Sequence, residues 1–174
     1  AFSLQRTKLD ALFFDVWNKW LVESFYHHYG DQIQRWREFR LLAVDGSTTY
    51  LLHKKDVIEY FGTHDNHCSS IPMARVLQIH DILNDLTIWG VIRPIKESEH
   101  AIIIRQVDQL YTDSITLFDR GYPSYALMYL MNNQETPRHF VMRCKKGFNK
   151  AIIQFVKGRK NSRIIELNPT RDIM

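Results

Sequence analysis

Ile115-Thr-Leu-Phe118-Asp119-Arg120-Gly121-Tyr122-Pro123-Ser124 is the stretch on which the reading of this chain turns. A short apolar run ends in an acid, a glycine allows a tight turn, and a proline suits the first position of a helix running to about Met131. The stretch therefore predicts strand, turn and helix in succession, with Asp119 at the end of the strand. Upstream, Phe39-Arg-Leu-Leu-Ala-Val-Asp45-Gly-Ser47 has the same form, an apolar run closed by an acid and a glycine. It predicts a buried strand ending in a turn, with residues 48–53 returning as the second strand of a hairpin.

The segments between and around these two strands fill in the order. Leu9, Leu12, Phe13, Val16, Trp17, Trp20 and Leu21 recur at helical spacing and predict a first helix whose apolar stripe packs in the core or against a neighbouring domain. His27-His28 closes that helix, where the dipole favours imidazolium. A short helix is expected around Val57–Tyr60, followed by polar loop to Ile71. Residues 75–82 and 86–92 read as strands joined at Asn84-Asp85, and Pro94 ends them. Ser98 is placed to cap a helix that carries Glu99 in its first turn and buries Ile103, Ile104, Val107 and Leu110. A strand over 139–143 and a helix over 148–156 complete the order. An antiparallel start followed by alternating helices and strands predicts an α/β fold, a mixed sheet flanked by helices with one further helix at the N-terminus.

Composition sets the outer bounds. With 174 residues and 45% hydrophobic content the chain is expected to fold around one core. No run of about 18 apolar residues is present, so no membrane span is expected. The opening does not read as a signal peptide, because Arg6 and Lys8 are followed by Asp10 and Asp15. Cys68 and Cys144 are expected to be free thiols in a reducing cytoplasm. The net charge of +4 is unevenly spread. Residues 143–163 hold eight basic side chains and no acidic one, which leaves 15 of the 23 basic residues against all 19 acidic ones elsewhere. A segment of that kind suits either a polyanion such as DNA or a solvated basic face.

Asp45 and Asp119 are the residues most able to carry chemistry. Carboxylates at the ends of neighbouring strands project from a rigid edge and could share a hard cation, which takes oxygen ligands. Phosphodiester chemistry suits such a site. An Asp-Gly turn and a helix-capping Asp are the structural alternatives. His64-Asp-Asn-His67-Cys68 lacks the second ligand pair of a structural zinc site and is expected to be a polar loop. His80-Asp81 lies in a predicted strand, without the helical ligands a phosphohydrolase pair would need.

Taken in order, these segments resemble the DDE transposases of bacterial insertion sequences. Leu-Leu-Ala-Val-Asp45-Gly-Ser resembles their first-aspartate motif, and Leu-Phe-Asp119-Arg-Gly-Tyr-Pro-Ser-Tyr their second, usually written Asp-Arg-Gly-Tyr. Pro72–Asn84 and Phe140-Val-Met-Arg143-Cys-Lys resemble strand segments of the same proteins. The similarity runs over roughly 39–156 and is strongest to the IS-four-like branch, whose core is RNase H-like. The implied organisation is an N-terminal helical segment over 1–38, a partial catalytic core over 39–156, and a basic and polar tail over 157–174 that could open an insertion.

What the resemblance implies is hydrolysis of a phosphodiester at the transposon end, followed by in-line attack of the freed 3′-hydroxyl on another strand. Asp45 and Asp119 would hold Mg²⁺ or Mn²⁺. Arg120, Tyr122, Arg143, Lys145, Lys146 and Lys150 would contact DNA or brace the site, with a salt bridge and helix-start packing as the plain roles for Arg120 and Tyr122. The partner would be double-stranded DNA, at transposon ends and target, bound by a homodimer in the bacterial cytoplasm. The family's third acid, a Glu in a Tyr-x-x-Arg-x-x-x-Glu helix, has no counterpart here. Glu135 falls in a loop and Glu166 in the tail. The chain, which starts at Ala1 without Met, is therefore expected to be a truncated piece, catalytically incomplete alone. A non-catalytic DNA-binding remnant and another RNase H-like nuclease or phosphotransferase are the alternatives.

Overall fold

The computed structural model describes residues 8–65 and 69–167. Among them the order is α1 (Leu12–His28), β1 (Arg40–Tyr50), α2 (Lys55–Phe61), β2 (Thr63–Asp65), β3 (Ser70–Asp81), β4 (Leu86–Pro94), α3 (Glu99–Ile104), β5 (Ser114–Phe118), α4 (Tyr125–Asn132), β6 (His139–Met142) and α5 (Lys150–Lys157). Short 3-10 turns lie at Gly30–Gln32 and Val107–Gln109. The fold is mixed α/β, a six-stranded mixed sheet flanked by helices with a helix at its N-terminal end, as the segment order predicts.

β1 occupies the middle of the sheet. It pairs antiparallel with β3 on one side and parallel with β5 on the other, and β6 adds parallel to β5. β4 and β2 both pair antiparallel with β3, along Ala74–Asp81 and Ser70–Pro72. Leu42 and Val44 of β1 face the same core as Leu77 and Ile79 of β3 and Phe118 of β5. That face is closed by Ile102 and Ile103 of α3, Val107 and Leu110 just after it, and Leu127 and Met131 of α4. Side chains alternate across a strand with period two, so Leu42 and Val44 of β1, and Ser114, Thr116 and Phe118 of β5, are the buried residues of these strands.

The cap expected at Ser98 is present, and Ser124 and Asn149 cap two further helices. The Ser98 hydroxyl accepts from Ala101 N, Ser124 from Leu127 N, and Asn149 from Ile152 N, each satisfying a donor that the first turn leaves open. Pro123 therefore precedes the cap of α4 and does not occupy its first turn. The β3–β4 hairpin turns as predicted at Asn84-Asp85, where Asp85 takes φ of 50°. The helix after Ser98 is shorter than its apolar spacing suggests. It ends at Ile104, and the 3-10 turn that follows is what lets both Ile102–Ile103 and Val107–Leu110 reach the core.

Two expectations are corrected. Asp45-Gly46 is not a turn and residues 48–53 do not fold back. β1 continues straight through Asp45-Gly46 as far as Tyr50, because β3 offers an unbroken ladder from Leu42↔Asp81 to Tyr50↔Met73. The apolar stripe of α1 is not core. Val22 is its one buried residue, while Val16 is 68% and Trp20 60% exposed. The helix leans on the sheet through its more polar side. Asn18 donates to the Ile88 carbonyl, and the Tyr26 hydroxyl donates to Asp81.

Candidate metal and nucleic-acid site

The parallel β1–β5 ladder runs from Arg40↔Ser114 to Val44↔Phe118. Asp45 is the next residue of β1, and Asp119 is the first residue after β5. Neighbouring strands lie about 4.8 Å apart, so a register continued one step past that pair would bring the two acids close together on one face of the sheet. That face is opposite to the core, since Val44 and Phe118, one residue earlier, point inward. Both aspartates are exposed, Asp119 to 62% of its side chain. The sequence reading expects both acids at strand ends; Asp119 follows one, whereas Asp45 lies inside β1, and the ladder sets the two strands side by side.

β6 brings in Arg143. Its backbone N–H donates to the Phe118 carbonyl at 3.1 Å, and its guanidinium lies 3.9 Å from the Asp119 carboxylate. That side chain is 74% exposed, so the pair is a loose one. Arg120, Lys145, Lys146 and Lys150 are also exposed. Lys145 and Lys146 follow β6 directly and Lys150 opens α5, so the basic segment begins beside Asp119 and runs away from it along the chain.

Tyr122 is different. It is 4% exposed and packs against Phe118 with ring centroids 5.6 Å apart. Its hydroxyl donates to Glu99 Oε2 at 2.9 Å. Burial, the bond to Glu99 and the nearby Glu99 and Asp45 carboxylates all push that hydroxyl above the ordinary tyrosine range. Tyr122 thus braces the turn after Asp119 and is not presented to a polyanion. Glu99 is the residue the sequence reading missed. Its other oxygen receives Arg75 at 2.6 Å, and its carboxylate lies so close over Gly46 that a Cβ there would come within 2.2 Å of it.

Among the described residues no group of three or more His, Cys, Asp and Glu side chains is gathered as a metal site. Glu135 sits in the loop after α4, and Glu166 is exposed in the tail. The His64–Cys68 loop falls partly outside the described residues. His64 lies in β2, and Asp65 is held by Ser70 and Thr63, whose hydroxyls keep its carboxyl below the usual range. Asp81 is fully buried and accepts from Tyr26, Asn84 and Leu83, so it is a structural acid. Cys144 is a free thiol whose pKa burial raises. No described helix is long and apolar enough to cross a membrane.

No protein-family model matches the chain. It is 24% identical over 122 residues to the Escherichia coli (strain K12) protein named "Putative transposase InsZ", a match that covers 68% of this chain and 41% of that protein. The chain thus spans about two fifths of the length of the curated relative it matches. This likeness relates the chain to a transposase.

Proposed function

We propose that the chain is the core of a DDE-type DNA transposase of the IS-four-like branch, built on an RNase H-like sheet, with Asp45 and Asp119 as two of its three catalytic acids. The observation that supports this reading is the parallel β1–β5 register, whose last pair, Val44 opposite Phe118, immediately precedes Asp45 and Asp119. The likeness to a transposase points to double-stranded DNA as the partner.

The two carboxylates fit Mg²⁺ or Mn²⁺. They are oxygen donors on rigid strands, and Mg²⁺ is commonly held by one or two carboxylates, with substrate phosphates and water filling the remaining positions. When bound, such an ion activates the attacking oxygen and stabilises the leaving one in phosphodiester exchange. The chain's own contribution is placement. Asp45 and Asp119 fix where the scissile phosphate can sit, and Arg143 supplies positive charge beside it. Lys145, Lys146 and Lys150 neutralise phosphates further along, an interaction that weakens steeply with salt. Arg120, exposed in the turn after Asp119, adds to the same field. Two such cores, one on each transposon end, would act as a homodimer.

Nicking of a DNA duplex by the full-length protein tests the reading. Mn²⁺-dependent nicking should be lost in Asp45→Asn and in Asp119→Asn, with duplex affinity in EDTA unchanged. Nicking that survives both substitutions would overturn it.

A further inference from the structure

Asp119 stands beyond the last paired residue of β5, in an exposed turn that would be free to swing. Three links through Tyr122 hold that turn. The Tyr122 N–H donates to the Asp119 carbonyl at 3.1 Å. Nε2 of His100 lies 3.0 Å from the Tyr122 carbonyl and donates to it. The Tyr122 hydroxyl donates to Glu99 Oε2 at 2.9 Å. Glu99 is itself fixed twice over. Arg75 of β3 holds its Oε1 at 2.6 Å, and its carboxylate rests on Gly46, the residue after Asp45. One carboxylate, on the first residue of α3, therefore joins the turn carrying Asp119 to the strand carrying Asp45.

We infer that Glu99 and Tyr122 are positioning residues that set the separation of the two aspartates, and that Gly46 is glycine to admit the Glu99 carboxylate. The inference rests on the metal-site reading given under Proposed function. Shared coordination leaves little room for error, because hard cations hold oxygen ligands at about 2.0–2.6 Å. A turn that shifts by an ångström loses one of its two ligands. Glu99 is not a ligand in this reading, because Arg75 and Tyr122 occupy its two oxygens. Tyr122 is buried against Phe118. Both act through the aspartates.

The test is Mn²⁺ affinity of the chain, read from free Mn²⁺ by electron paramagnetic resonance, with thermal unfolding measured on the same samples. Asp45→Asn and Asp119→Asn should remove the site and validate the readout. Tyr122→Phe keeps the ring and loses the hydroxyl, and should weaken Mn²⁺ binding about tenfold, the effect usual for outer partners of metal ligands. Glu99→Ala should do the same. The double variant should be no worse than either alone, since both break one link. Glu99→Gln retains an acceptor for Tyr122 and should bind within about threefold of the parent. Parent-like Mn²⁺ affinity in Tyr122→Phe and Glu99→Ala, with the aspartate variants inactive in binding, would overturn the clamp alone. Additive losses in the double variant would overturn it too. Unchanged affinity in the aspartate variants would overturn the metal site, and the clamp with it.

Discussion

A buried charge is tolerated where every lone pair is used, and Asp81 meets that condition. It is fully buried, and its carboxylate accepts from the Tyr26 hydroxyl and Asn84 Nδ2, each at 2.8 Å, and from the Leu83 and Asn84 N–H groups. It closes the β3–β4 turn and anchors α1 to the sheet in one stroke. Burial, and then the bond to Asp81, raise the Tyr26 hydroxyl above the ordinary tyrosine range, so the donor stays protonated. Asp81→Ala leaves these donors without a partner and should destabilise the fold by roughly 3 kcal/mol, whereas Asp81→Asn, which keeps an acceptor, should cost less. Urea unfolding checks the order of the two. The sequence marks Asp81 as a strand residue but shows nothing of Tyr26, 55 positions away. Glu99 is obscured in the same way. Its place after a capping Ser is enough to explain it locally, and its bonds to Arg75 and Tyr122 appear only when β3, α3 and the turn after β5 are assembled.

At the scale of elements, what is legible is what local chemistry decides. The cap at Ser98 and the turn at Asn84-Asp85 are read in the sequence, whereas the caps Ser124 and Asn149 emerge only in the structure. β1 defeats that kind of reading, because Asp-Gly is a turn signal by composition and here a partner strand overrides it along nine paired positions. α1 defeats it from the other direction. Its spacing identifies the helix correctly but not the side that faces the sheet, and the aromatic stripe is left outward. Trp20→Gln should accordingly change stability by less than about 0.5 kcal/mol. Leu127→Ala in the sealed core of α4 should cost roughly 2–5 kcal/mol. A loss of core size for Trp20→Gln would place that face against the rest of the molecule.

Over the whole molecule the sheet carries two separate sequence signals onto adjacent strands. Asp45 and Asp119 are 74 positions apart in the chain, and each directly follows a member of the last pair of the parallel β1–β5 ladder, Val44 opposite Phe118. The position of Asp119 after a strand end is readable from the apolar run before it, whereas Asp45, expected at a strand end, lies inside β1. The pairing of their strands is not readable, since spacing alone does not order strands, and the RNase H-like resemblance supplied that expectation. The basic segment from Arg143 onward starts at the same end of the sheet, so charge and carboxylates meet where a DNA backbone could be held. A crystal of the chain soaked in Mn²⁺ tests this account most directly. The expected result is anomalous density at one position within about 2.6 Å of an oxygen from each of Asp45 and Asp119. Density that touches neither carboxylate, or carboxylates held too far apart to share an ion, would contradict it.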